Sequence, residues 1–221
     1  MPAKKHTKLK LSFSFPVTLY ICFTALIIYL LDSTFVPSLI KNVFSVPASL
    51  RTTGGFDWKN VLDYLRLFFH VLGHSSWSSL VTNLAFILIL APNLEEQYGS
   101  GVLALMVLVC AFVSGILNVC FNPQPLCDSD GLVFMLVLVT SANYITKREM
   151  PLTAVVLIIL FVLKNLVNTG DNEKIRALIH IAGGVCGSLL VFLAGEKSTV
   201  KRKTSKASAA SRDGLFPAAD E

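Results

Sequence analysis

The sequence predicts an all-α integral membrane protein with six transmembrane helices and an interfacial loop between the first two. Three observations support this. Charged residues make up 15% of the 221-residue chain, hydrophobic residues 53%, and the mean hydropathy is +0.65; a soluble domain carries about 25% charged residues. Apolar stretches long enough to cross a hydrocarbon layer about 30 Å thick recur along the chain. Much of the net charge of +5 sits at the two ends, in Lys4, Lys5, Lys8 and Lys10 and in Lys197, Lys201, Arg202, Lys203, Lys206 and Arg212. Basic ends beside membrane segments act as cytoplasmic anchors on anionic lipid, so this charge implies a bilayer and no nucleic acid.

The elements follow in order. Residues 1–12 form a basic cytoplasmic tail, and residues 13–31 the first span, closed by Asp32. A basic start before an apolar run also describes a secretory signal. Here the core is long, and Asp32-Ser-Thr-Phe-Val-Pro37 is a poor small-x-small cleavage site, so the helix is read as retained. Residues 32–66, with Pro37, Pro47 and Gly54-Gly55, are too polar to span and too apolar for a disordered linker. Phe44, Val46, Leu50, Phe56, Trp58, Val61, Leu62, Tyr64 and Leu65 make this connection an amphipathic element in the interface. The second span covers residues 67–90, the third about 101–118, the fourth from Gly131 to just before Lys147-Arg148, the fifth 151–168, and the sixth 175–194. The membrane domain is thus residues 13–195, and residues 196–221, rich in Ser, Ala and Lys, form a basic disordered tail. Six spans put both ends on one side, together with Lys147-Arg148, as the positive-inside rule asks. The four Lys or Arg residues between positions 32 and 66 oppose it mildly, since long loops count for less.

Ionisable groups inside a membrane are expensive and count as functional candidates. The last span holds His180, with Gly183 three residues on and Gly187 four beyond that, all on one helical face. Such small-residue faces let two membrane helices approach closely. His70, His74 and Asn83 fall early in the second span, and Ser129, Asp130 and Gly131 at the start of the fourth. Alternating direction brings these groups and His180 to one depth near the outer face. A hydroxyl at a helix start, an imidazole on a close-packed neighbour and an amide from a third helix make a nucleophile–base–oxyanion set.

These motifs together resemble the rhomboid intramembrane serine proteases, of the six-helix bacterial type, over about residues 65–195. Arg66, the run Phe69-His70-Val-Leu-Gly-His74 and Asn83 stand at matching spacing. Glu95 and Gly99-Ser100 match the cytoplasmic turn, and His180, Gly183 and Gly187 match the last helix. The resemblance implies a six-helix rhomboid-like bundle acting on transmembrane segments of other membrane proteins. It implies residence in a bacterial inner membrane with both termini cytoplasmic, and no cofactor. Catalysis would rest on Ser129 and His180, with Asn83, Ser79 and His74 in oxyanion or supporting positions. Arg66, His70, Glu95, Gly131, Phe134, Gly183 and Gly187 would be structural.

The chain departs from the family at the nucleophile. The family pattern is Gly-x-Ser-Gly-x-x-aromatic; here Asp128-Ser129-Asp130-Gly131-Leu-Val-Phe134 puts Asp130 in the nucleophile slot. One residue of slip is about 100° of rotation and 1.5 Å of rise. Ser79 stands where the family has a second oxyanion-region histidine. Two expectations follow. Either the loop slips so that Ser129 meets His180, and the protein is a serine endopeptidase with Asn83 and the Ser129 N–H holding the oxyanion. Or Asp130 faces His180 as a buried ion pair, Ser129 or Asp128 caps the fourth helix, and the protein is a pseudoprotease that binds transmembrane segments. A metal set of His70, His74 and Asp130 is disfavoured, so no metal is expected. Among the five cysteines no zinc spacing occurs; Cys120 and Cys127 flank a short loop and are a candidate disulfide, with pairing and absence of pairing both left open.

Overall fold

The computed structural model describes residues 15–50, 52, 54–145, 152–166 and 172–191. The tails expected at residues 1–12 and 196–221 lie outside them. The helices are α1 (Pro16–Thr34), α2 (Leu39–Val43), α3 (Val61–Phe69), α4 (Trp77–Tyr98), α5 (Ser100–Phe121), α6 (Asp130–Ile145) and α7 (Leu152–Leu166), followed by α8 (Asn172–Val191). Four of them, α1, α4, α5 and α8, are long and apolar enough to cross a membrane; α6 is a shorter apolar helix, and α7 has 15 residues.

The helix α6 is the axis of packing. Leu132, Val133, Phe134, Met135, Leu136 and Val137 are all buried, so it is apolar on every side because it is surrounded on every side. Helices α4, α5 and α7 each contact it. The last helix closes on both α5 and α6 through glycines. A Cβ on Gly183 would lie 1.9 Å from Ser114 Oγ on α5, and one on Gly184 would lie 2.8 Å from Phe134 Cδ1 on α6. A Cβ on Gly187 would meet Met135 Sδ at 2.5 Å. A side chain at these positions would run into α5 or α6, so both helices pack directly on the bare glycine backbone of α8. Away from the core, Phe23, Ile27, Ile159 and Leu160 are exposed, the reverse of a water-soluble bundle.

The second span starts ten residues later than its apolar run suggests, at Trp77 rather than Leu67. The run is broken in two. Helix α3 ends at Phe69 and a 3₁₀ turn covers His70–Leu72. Gly73 then turns extended (ψ 147°), with a notional Cβ only 2.6 Å from Phe44 O. Ser76 restarts the chain as an N-cap, its side chain accepting from the Ser79 N–H. His70 and His74 therefore precede the spanning helix.

The stretch from Val46 to Leu50 after α1 and α2 is tied by hydrogen bonds to the end of α5 and the loop that follows it. Val46 and Leu126 exchange backbone bonds of 2.9 and 3.0 Å. Asn118 Nδ2 donates to Pro47 O and to Gln124 O, both at 3.2 Å. Arg66 ties α3 to the end of α2 by pairing with Asp63 and donating to the Asn42 carbonyl. Cys120 and Cys127 are both free, Cys120 exposed and Cys127 buried with its sulfur against the Gly73 backbone, so the candidate disulfide is absent.

Glu95 has a specific task at the opposite end. Helix α1 has no capping side chain of its own. Its Val17 N–H, Thr18 N–H and Thr18 hydroxyl all donate to the Glu95 carboxylate, at 2.9, 3.0 and 2.7 Å. Ser100 Oγ adds a fourth bond at 2.7 Å. A carboxylate at a helix N-terminus is favoured by the helix dipole, and this one reaches there from the last turn of α4.

Candidate functional site

The N-terminal ends of α4, α6 and α8 converge on a cleft of about 310 Å³, lined by Ser79, Thr82, Asp128, Asp130, Arg176 and His180 among others. The close approach that makes it comes from Gly131, whose notional Cβ would lie 3.4 Å from His180 O and 3.5 Å from His180 Cα. The start of α6 thus lies directly against α8 at the level of the histidine.

Helix α6 begins with a double cap. Ser129 accepts the first helical bond at its carbonyl, from Val133 N–H at 2.9 Å. The Asp130 N–H donates to Asp128 Oδ1 at 3.1 Å. Asp128 has several partners in the cleft. Its Oδ2 accepts from Arg176 Nε at 3.1 Å and from the same guanidinium's Nη2 at 2.5 Å. Its Oδ1 lies 3.4 Å from His180 Nε2. Burial alone would push this carboxyl up, but the electrostatic pull of His180 and Arg176, with hydrogen bonds from the Arg176 guanidinium and the Asp130 N–H, holds it below the ordinary carboxylate range.

The imidazole beside Ser129 is His74. Its Nε2 lies 3.0 Å from Ser129 Oγ and 3.5 Å from Asn83 Nδ2. An amide nitrogen only donates, so His74 Nε2 is the acceptor, the proton sits on Nδ1, and the Ser129 hydroxyl is the donor. Burial pushes His74 down, against the opposing pull of Asp128 and Asp130, so it favours the neutral form. His180 Nε2, by contrast, is buried and has no hydrogen-bond partner. Ser129 is 1% exposed and lines neither the cleft nor the neighbouring cavity of about 420 Å³ against which His74 sits.

Several expectations are rearranged. The structure brings Ser129, His74 and Asn83 together, and separately Asp128, Asp130 and His180. The carboxylate paired with His180 is that of Asp128; Asp130 is half-buried at the cleft, its carboxylate in the same cluster. Asn83 is directed at His74, and Ser79 lines the cleft from the first turn of α4. His70 is buried behind them, with Nδ1 3.1 Å from Leu67 O. Phe134 stacks on Phe161 of α7 (5.2 Å between centroids) and abuts Gly184. The disfavoured trio of His70, His74 and Asp130 is not the group that converges; among the described residues Asp128, Asp130 and His180 bring one donor atom each to within 4.8 Å of one another.

Arg176 and Gly184 were missed from sequence. The first had a readable signal: it precedes His180 by four residues, one turn back on the same face of an apolar helix. Gly184 had none, because its contact with Phe134 depends on where α6 lies. The family model for the rhomboid domain matches residues 62–197, more than half of the chain. No curated protein matches it.

Proposed function

The chain belongs to the rhomboid family, and from that premise we propose that it is a non-catalytic member that binds transmembrane segments of other membrane proteins without cutting them. One observation carries this reading. The cleft beside His180 presents the Asp128 and Asp130 carboxylates, while the Ser129 hydroxyl is turned away and bonded to His74. A carboxylate attacking an amide would form a mixed anhydride and hand no proton to His180. The charge is also wrong for acyl transfer. Two unit charges of like sign about 4 Å apart repel by about 4 kcal/mol at an effective dielectric of 20. An oxyanion donor of the opposite polarity would contribute about 2.7–4 kcal/mol. A tetrahedral oxyanion formed here would meet the repulsion.

All six apolar helices are read as spans, with both termini on the cytoplasmic side of a bacterial inner membrane and the cleft near the outer face. Helix α3 then lies in the interface, with Val61, Leu62, Leu65 and Phe69 directed at lipid, as their exposure supports. The apolar outer faces of the bundle are where a partner's transmembrane segment would pack.

The test is a fluorophosphonate probe applied to the purified protein in lipid. No labelling of the wild type, and gain of labelling in Asp130→Ser, are expected. Labelling of the wild type that disappears in Ser129→Ala would overturn the proposal. It would favour a second reading, a serine endopeptidase in which His74 rather than His180 activates Ser129, the reading to which their 3.0 Å bond points.

A further inference from the structure

We infer that Asp128, Asp130 and His180 form a binding site for a divalent cation of the Zn²⁺ or Co²⁺ type. The cleft would then be a metal-closed pocket. Four observations agree. First, the His180 side chain is 97% buried, and its Nε2 has no hydrogen-bond partner and lies 3.4 Å from Asp128 Oδ1. A neutral imidazole nitrogen and a carboxylate oxygen are both acceptors, so two lone pairs face each other unless a cation or a proton lies between them.

Second, the spacing suits a metal. Tetrahedral bonds of about 2.0–2.2 Å set neighbouring donors about 3.4 Å apart, and Nε2 and Oδ1 are 3.4 Å apart. The Asp130 oxygen completes a three-donor set in which every pair lies within 4.8 Å. Third, the charge is right. The cleft is lined by three carboxylates, Asp128, Asp130 and Glu173, against one guanidinium, Arg176. With neutral imidazole that leaves two negative charges, which a divalent cation balances. Fourth, the donors have access: all three line a cleft of about 310 Å³, so water can fill the remaining coordination positions.

One imidazole nitrogen with two carboxylate oxygens is a borderline-to-hard donor set. It selects Zn²⁺, Co²⁺ or Mn²⁺ over the thiolate-seeking ions. Arg176 fits the arrangement as a neighbour, because it takes Asp128 Oδ2 and leaves Oδ1 directed at His180. The inference concerns the same cleft as the non-catalytic reading but does not need it: probe labelling interrogates Ser129, whereas metal titration interrogates the three donors.

The experiment titrates Co²⁺ into chelator-stripped full-length protein in lipid nanodiscs and follows visible absorption. One saturable equivalent is expected, with weak d–d bands, no thiolate charge-transfer band, and displacement by Zn²⁺. Asp130→Asn keeps the shape of the side chain and should weaken binding more than about tenfold, as should His180→Ala. Cys120→Ser should bind as the wild type does. If His180→Ala does not fold, Asp130→Asn decides alone. Absence of saturable binding below about 1 mM (about −4 kcal/mol) would overturn the inference. So would a thiolate band, or binding unchanged in Asp130→Asn. In the first case the gap between His180 and Asp128 holds a proton.

Discussion

Replacing Arg176 by Met should destabilise the protein by about 3 kcal/mol, near the lower end of the 3–5 kcal/mol that follows removal of one partner from a buried ion pair. The lower end applies because Asp128 retains other support. Its side chain is only 5% exposed, but Oδ1 still receives the Asp130 N–H at 3.1 Å and faces His180 at 3.4 Å. Methionine keeps most of the length of the arginine stem, so the loss reports charge more than packing. Asp128→Asn should cost less, about 1 kcal/mol. The amide oxygen can still cap Asp130, and the Arg176 side chain, 25% exposed, can turn its head to water. The double variant should cost clearly less than the two single losses added together, since removing both charges leaves neither one stranded. Reversible unfolding in mixed micelles, monitored by circular dichroism, gives the three values. If Arg176→Met costs under 1 kcal/mol, or the cycle is additive, the Asp128–Arg176 pair is not what holds the start of α6 to α8.

Three further outcomes follow from particular contacts. Gly183→Ala should lose about 1–3 kcal/mol by overpacking, because its Cβ would sit 1.9 Å from Ser114 Oγ, and adding Ser114→Ala should recover part of the loss in the same unfolding assay. Glu95→Ala should free the start of α1, costing about 1–2 kcal/mol and making the chain before residue 20 more sensitive to protease, with Glu95→Gln intermediate. Cys120 should react with maleimide in the folded protein while Cys127 resists, since Cys127 is buried and its thiol is pushed up to about 12, first by burial and then by the Asp128 charge. Equal reactivity would contradict the packing of Cys127 against Gly73.

The sequence alone determined the class of the molecule. Shortage of charge and recurring apolar runs require a chain that satisfies its backbone within helices, whatever the details of packing. It also marked His180 and the glycines as a contact surface, because spacing on one helix is a local property. The order of the family motifs is likewise legible in one dimension.

What lay beyond reach were relations between helices and interruptions within them. The run from Leu67 to Leu90 reads as one apolar segment, yet it breaks at Gly73. The Phe44 carbonyl and the Cys127 sulfur occupy the space a side chain there would need, and both come from parts of the chain distant in sequence. The same break moves His74 out of the spanning helix and next to Ser129. Which carboxylate faces His180 was decided in the same way: capping at the start of α6 orients Asp128, and only the placement of α8 decides that its Oδ1 meets the imidazole. A single sequence fixes periodicity along each helix, because that depends on neighbours three and four residues away. The partner of each buried charge depends on how rigid helices dock, and that was settled by contacts between residues dozens of positions apart.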